Sequence, residues 1–150
     1  MSLDNKLAAL RRLRFFANFE MEALRLLAFS AQDQKYSAGE YMFQCGERLS
    51  AAHLIITGSI ILISDKQNEE TARIVASGVL IGVRALFTET QSLFSAIANE
   101  NSATLKISRE LLSRVLAEFP SSAAAIRNAV LEDIVDFRSG LTTTFKRIKG

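Results

Sequence analysis

The sequence holds one histidine, His53, and one cysteine, Cys45, and those two residues bound the chemistry open to it. A zinc site draws about four N, S or O ligands from closely spaced residues, and no such grouping surrounds either position. A metal-binding double-stranded β-helix would need two or three histidines. A Ser-His-Asp triad would have to use His53, and no Gly-x-Ser-x-Gly elbow is present to supply its serine. His53 opens the apolar run His53-Leu-Ile-Ile-Thr57 and reads as structural. Cys45 follows Tyr41-Met-Phe43 and has no basic neighbour before Arg48, so it lacks the electropositive surroundings of a reactive thiol and is expected to pack inside. Neither metal nor covalent catalysis is indicated, and the chain reads as a non-enzyme.

Composition narrows the partners. The net charge of +2 is too small to argue for a nucleic acid. No apolar run approaches the roughly 20 residues that cross a bilayer, and the N-terminus lacks a secretory pattern. A lone cysteine forms no intramolecular disulfide, which fits a reducing cytoplasm. With 49% apolar and 23% charged residues, the 150-residue chain is expected to form one domain around a real core.

Three stretches with different periodicities must position any site. Residues 4–16 place Leu7, Leu10, Leu13 and Phe16 at amphipathic-helix spacing, with Lys6, Arg11, Arg12 and Arg14 elsewhere. A second helix is expected over Phe19 to Ala31, with Met21, Leu24, Leu27 and Ala28 on one side. Between Tyr36 and Ser108 the period shortens to β-branched and aromatic runs broken by Gly, Asn, Asp and Ser, which predicts antiparallel strands. Asp65 to Glu70 is the most polar stretch and reads as an exposed hairpin loop. Helical spacing returns at Arg109 to Phe119 through Leu111, Leu112, Val115 and Leu116. Pro120 stops that helix, and Ser121 and Ser122 are suited to cap a last one.

The strand region has a distinctive punctuation. Gly39 and Gly46 bracket Tyr41-Met-Phe43, a Thr57-Gly58 turn divides two β-branched runs, and Ala72 to Gly82 repeats strand, glycine, strand. This series resembles the cyclic-nucleotide-binding domain family, over roughly Phe16 to Pro120. The resemblance implies a mainly β fold: an antiparallel β-roll (a double-stranded β-helix, jelly-roll-like) of about eight strands, with two helices before it and two after. The expected division is residues 1–31 for the N-terminal helices, 35–108 for the roll and 109–149 for the C-terminal helices.

The resemblance also implies a ligand site. The family pattern is Phe-Gly-Glu-x-Ala-Leu, followed downstream by Arg-Ser/Thr-Ala. Its glycine allows close backbone approach, and the helical turn after it offers free N–H groups to a cyclic phosphate. The glutamate accepts from the ribose 2′-hydroxyl, and the arginine pairs with the phosphate. In this chain Gly82, Ala85 and Leu86 match, whereas Val83 stands at the glutamate position with Arg84 beside it. Ser95 and Ala96 match downstream, and the arginine position falls on Phe94. No arginine occurs between Arg84 and Arg109, so a slipped alignment does not restore the missing guanidinium. A cyclic nucleotide, cAMP or cGMP, is thus the implied ligand, and Val83 and Phe94 disfavour it.

In the last helix Ile126, Val130, Ile134, Phe137, Leu141, Phe145 and Ile148 are spaced 4, 4, 3, 4, 4, 3. That is a hendecad stripe, about 3.67 residues per turn, interrupted in its helix propensity by Gly140. It predicts a homodimer built on residues 121–148, and the resemblance adds an effector protein or output domain as reader of the C-terminal helices. No residues follow that helix to form a helix-turn-helix, so no DNA-binding element is expected. The readings left open are a ligand-gated regulatory or sensor module, a ligand-independent dimerisation or interaction module, and a fragment of a catabolite-activator-type transcription regulator.

Overall fold

A computed structural model describes residues 2–66 and 69–129. The first amphipathic stretch forms helix α1 (Leu3–Arg11), capped by Ser2, whose Oγ accepts from the Asn5 N–H at 3.2 Å. It does not run on to Phe16 as expected. Leu13 takes an extended conformation and a single 3-10 turn follows at Arg14–Phe16. The break has a packing cause, because it lets Leu10, Leu13 and Phe16 all enter the same core. Helix α2 (Met21–Ser30) buries Ala23, Leu24, Leu27 and Ala28. Met21, expected on that face, is instead 42% exposed.

Ten strands follow, somewhat more than the expected eight because three of them are only two residues long. They are β1 (Gln32–Tyr36), β2 (Tyr41–Phe43), β3 (Arg48–Leu49), β4 (Ala51–Thr57), β5 (Ser59–Lys66), β6 (Glu69–Ala76), β7 (Leu80–Ile81), β8 (Thr90–Gln91), β9 (Ser95–Ala98) and β10 (Ser102–Ser108). One antiparallel sheet has the order β1-β10-β4-β7, a second β2-β9-β5-β6, and β3 pairs with β8. The polar stretch expected as a loop is narrower than predicted. β5 and β6 remain paired out to Lys66 and Glu69, which shortens the connection to residues 67 and 68.

Strand alternation divides the interior into two cores. Along β4, Ala52 and Leu54 face the helices and join Leu10, Leu27, Leu105 and Leu112. Ile55 faces the other sheet and joins Phe43, Ile60, Val75, Ile81 and Ala96. The first sheet is therefore buried on both sides, which explains why all five residues from Ala51 to Ile55 are buried. Gly58, at the corner between β4 and β5, has φ +87°, and a Cβ there would lie 2.2 Å from Ser102 Oγ and 2.7 Å from the Asn101 carbonyl. Only glycine fits that corner.

Helix α3 (Arg109–Glu118) is capped by Ser108, whose Oγ accepts from the Leu111 N–H at 3.0 Å. Phe119 leaves the helical region, as a residue before proline is pushed to do. Helix α4 starts at Pro120 and is described over residues 120–129. Ser121 and Ser122 do not cap it as expected. Ser122 Oγ accepts from the Glu20 N–H at 3.1 Å and so caps α2 across 102 residues, while the Ser121 hydroxyl donates to the Glu20 carboxylate. Ile126, first residue of the hendecad stripe, is 2% exposed and packs within the helical core. The rest of the stripe, Val130 to Ile148 with Gly140, lies outside the described residues.

Candidate functional site

The predicted glycine turn is built as the residue types require. Gly82 sits at φ +83°, where an L side chain is strained, and an added Cβ would come within 3.3 Å of the Ala51 carbonyl. One 3-10 turn follows at Val83–Leu86, closed by Ala85 N–H donating to the Gly82 carbonyl at 3.0 Å. Two buried residues pin it, Ala85 in the core of the roll and Leu86 in the helical core. The Val83 and Arg84 N–H groups open the turn and find no acceptor among the described residues. Val83 is half-buried and Arg84 exposed.

The downstream residues lie on β9 and just before it. Ala96 is fully buried and pairs with Phe43 on one side and Leu62 on the other. Ser95 is engaged elsewhere, its Oγ accepting from the Cys45 N–H at 2.9 Å. That bond accounts for a correction: Cys45 is exposed, not packed inside, because it lies in a turn. Glu47 N–H closes that turn on the Gln44 carbonyl, and Gly46 N–H bonds the Ser92 carbonyl. Phe94 is half-buried, with its ring 5.7 Å from that of Phe43. Its amide and carbonyl both bond the Ser92 hydroxyl, which holds the residue in place. Of the two predicted stretches, Ala85, Phe94 and Ala96 meet in the core of the roll while Leu86 turns to the helical core, and an aromatic ring stands at the position where the resemblance calls for a guanidinium.

His53 lies on β4, 7% exposed, with its ring 6.5 Å from Phe43. Burial, and secondarily the charge of Lys106 opposite it, lowers its pKa to about 4. The imidazole is neutral at physiological pH and cannot replace a missing cation, in keeping with its structural reading. Its Nδ1 has no hydrogen-bond partner among the described residues. No group of three or more His, Cys, Asp or Glu able to hold a metal occurs among the described residues.

The β-roll flanked by helices is the fold that the resemblance implied. The model of the family described as the cyclic nucleotide-binding domain matches residues 33–119. The chain belongs to that family. A cyclic nucleotide-binding-like protein from Brucella abortus is 32% identical, aligned over 76% of this chain and 99% of its own, with a TM-score of 0.70. A cyclic nucleotide-binding domain from Methylobacillus flagellatus shares the fold at 20% identity, with a TM-score of 0.80 over 97% of this chain and 83% of its own. Among curated proteins, the mouse cyclic nucleotide-gated channel alpha-4 is 26% identical over 129 residues, 80% of this chain and 22% of the channel subunit. The chain therefore spans about a fifth of the length of that relative. No helix among the described residues is long and apolar enough to cross a membrane.

Sequence reading missed part of the inner wall of this cyclic nucleotide-binding domain. Phe43, Leu62 and Arg73 share the face that carries Ala96, through the pairs Phe43↔Ala96, Leu62↔Ala96 and Leu62↔Arg73. Strand alternation gives the parity of Arg73 with Val75, but only the pairing shows which parity faces inward.

Proposed function

We propose that this domain is a non-enzymatic regulatory module whose pocket has lost the family's hold on cyclic nucleotides. The single observation that carries this reading is Phe94, half-buried against Phe43 where the family pattern has an arginine. Val83 at the first position of the turn removes the second charged contact. A hydrogen bond to a charged group contributes about 1.5–3 kcal/mol, so two lost contacts weaken binding about a thousandfold. A micromolar site becomes a millimolar one, too weak for cellular levels of cAMP or cGMP. The residues present do not fit the ligand in the way the family pattern would.

Thermal unfolding tests this. A ligand at a hundred times its Kd adds about 2.7 kcal/mol and raises the melting temperature by several degrees in a domain of this size. Neither cAMP nor cGMP at submillimolar concentration is expected to move it. A saturable rise with either would overturn the reading.

A second reading, a ligand-independent interaction module, is favoured by the same aromatic contact, since Phe43 and Phe94 pack on each other in the core that also takes in Ala85 of the turn. In both readings residues 121–148 carry the proposed homodimer contact, through the apolar stripe that follows Ile126, and the C-terminal helices are the output.

A further inference from the structure

We propose that the pocket's anion-binding residue is Arg73, which reaches it from β6 and not from β9, and that the ligand it serves is a small organic phosphate. This inference rests on the weakened-pocket reading above and identifies what replaces the lost arginine.

The register supports it. Val75, Ile60 and Ala98 form one buried cross-strand row on the inner face of the second sheet. Arg73, Leu62 and Ala96 form the next row on the same face. Phe94, two residues before Ala96 and packed into the same core, continues that face one step further out. Arg73 is therefore two strand spacings, about 10 Å, from the Ala96 backbone, across a surface made by Leu62. Its exposure marks where the buried floor opens, since Val75 beside it is 6% exposed and Arg73 itself is exposed. Among the described residues it forms no hydrogen bond or ion pair.

The other cations are placed less well. Arg84 is exposed on the turn. Lys106 is on the first sheet, opposite His53, and its charge acts on that imidazole. Arg48 is paired with Glu89 at 3.1 Å. A guanidinium on an apolar wall has the planar donor geometry that binds two phosphate oxygens at once. The apolar surface of Leu62, Phe94 and Phe43 would take the organic part of the ligand.

The test uses cAMP as probe, followed by isothermal calorimetry or protein-observed NMR on the full chain. The proteins are wild type, Arg73→Gln, Arg84→Gln and Lys106→Gln, each removing the same single charge. Wild type is expected to saturate in the millimolar range, with Arg73→Gln weakened about tenfold or more and the other two within about twofold. Equal weakening in all three variants, no effect of Arg73→Gln, or no saturation of wild type at about 10 mM would each overturn the inference while leaving the weakened-pocket reading in place. Micromolar binding by wild type would overturn that reading instead, and the Arg73 dependence would still be measured. Because Arg73 is exposed, its variant is expected to melt with wild type, so a loss of binding reports the pocket and not the fold.

Discussion

In the proposed reading, Phe94 and Val83 are apolar side chains at two positions where the family pattern places charge. Gly82 has a left-handed conformation, and the two N–H groups at the start of the turn find no acceptor among the described residues. Restoring the charges should therefore restore affinity. Val83→Glu combined with Phe94→Arg is expected to bind cAMP measurably by calorimetry. Without ligand it should be less stable than wild type by a few kcal/mol, because a half-buried charge then lacks its partner. A folded double variant that binds nothing would show that pocket shape has been lost along with charge. His53 gives a second residue-scale prediction. Its pKa falls from 6.5 to about 4 on folding, so between those values the unfolded chain binds more protons than the native one. Stability is then complete above pH 6.5 and declines as the pH falls toward 4, by about 3 kcal/mol from this group. His53→Phe should flatten that part of the pH profile, read from urea midpoints at about pH 7 and about pH 4.5. An unchanged slope would mean the imidazole is not held neutral by the fold.

At the scale of elements, two contacts join parts of the chain that sequence keeps far apart. Ser122 caps α2 through Glu20 and is 0% exposed, so Ser122→Ala should cost about 1 kcal/mol and loosen α4 from α2. Urea unfolding checks the energy, and amide exchange at Glu20 checks the site. Gly58 and Gly39 have the same positive φ but different surroundings. A Cβ at Gly39 meets nothing within 4 Å, whereas at Gly58 it meets the Asn101 carbonyl and the Ser102 hydroxyl. Ser102 Oγ accepts from the Ser59 N–H and cannot move without loss. Gly39→Ala is therefore expected to cost about 1–2 kcal/mol, from backbone strain alone. Gly58→Ala should cost several kcal/mol or prevent folding, since it adds a steric clash to that strain. Equal effects at the two glycines would refute the close approach at the corner.

For the whole molecule, the open question is assembly. The stripe from Ile126 to Ile148 begins in the domain's own core, as Ile126 shows, and continues beyond the described residues with Phe137, Leu141 and Phe145. Exposed in a monomer, those residues would make a sizeable apolar patch. Light scattering coupled to size exclusion is expected to give about twice 16.5 kDa, and Phe137→Glu to halve it. A wild-type mass of 16.5 kDa at tens of micromolar would remove the dimer.

The residue pattern alone determined the class of fold, and it singled out the turn after Gly82 as the candidate site. Gly39, Gly46, Gly58, Gly78 and Gly82 all adopt positive φ, and glycine tolerates that conformation without steric strain, so their spacing already outlined the strands. Having a single histidine likewise limited the chemistry, because one imidazole cannot build a multi-histidine metal site. Tertiary structure decided what depends on pairing and depth. Cys45 could not be placed from its neighbours because a turn braced by Ser95, fifty residues away, turns it to solvent. Ser122 looked like a local cap and became a distant one because α2 offered an unpaired N–H in reach. Arg73 has inward parity only through its register with Leu62 and Ala96, and register is a long-range property that strand alternation leaves undetermined by one residue.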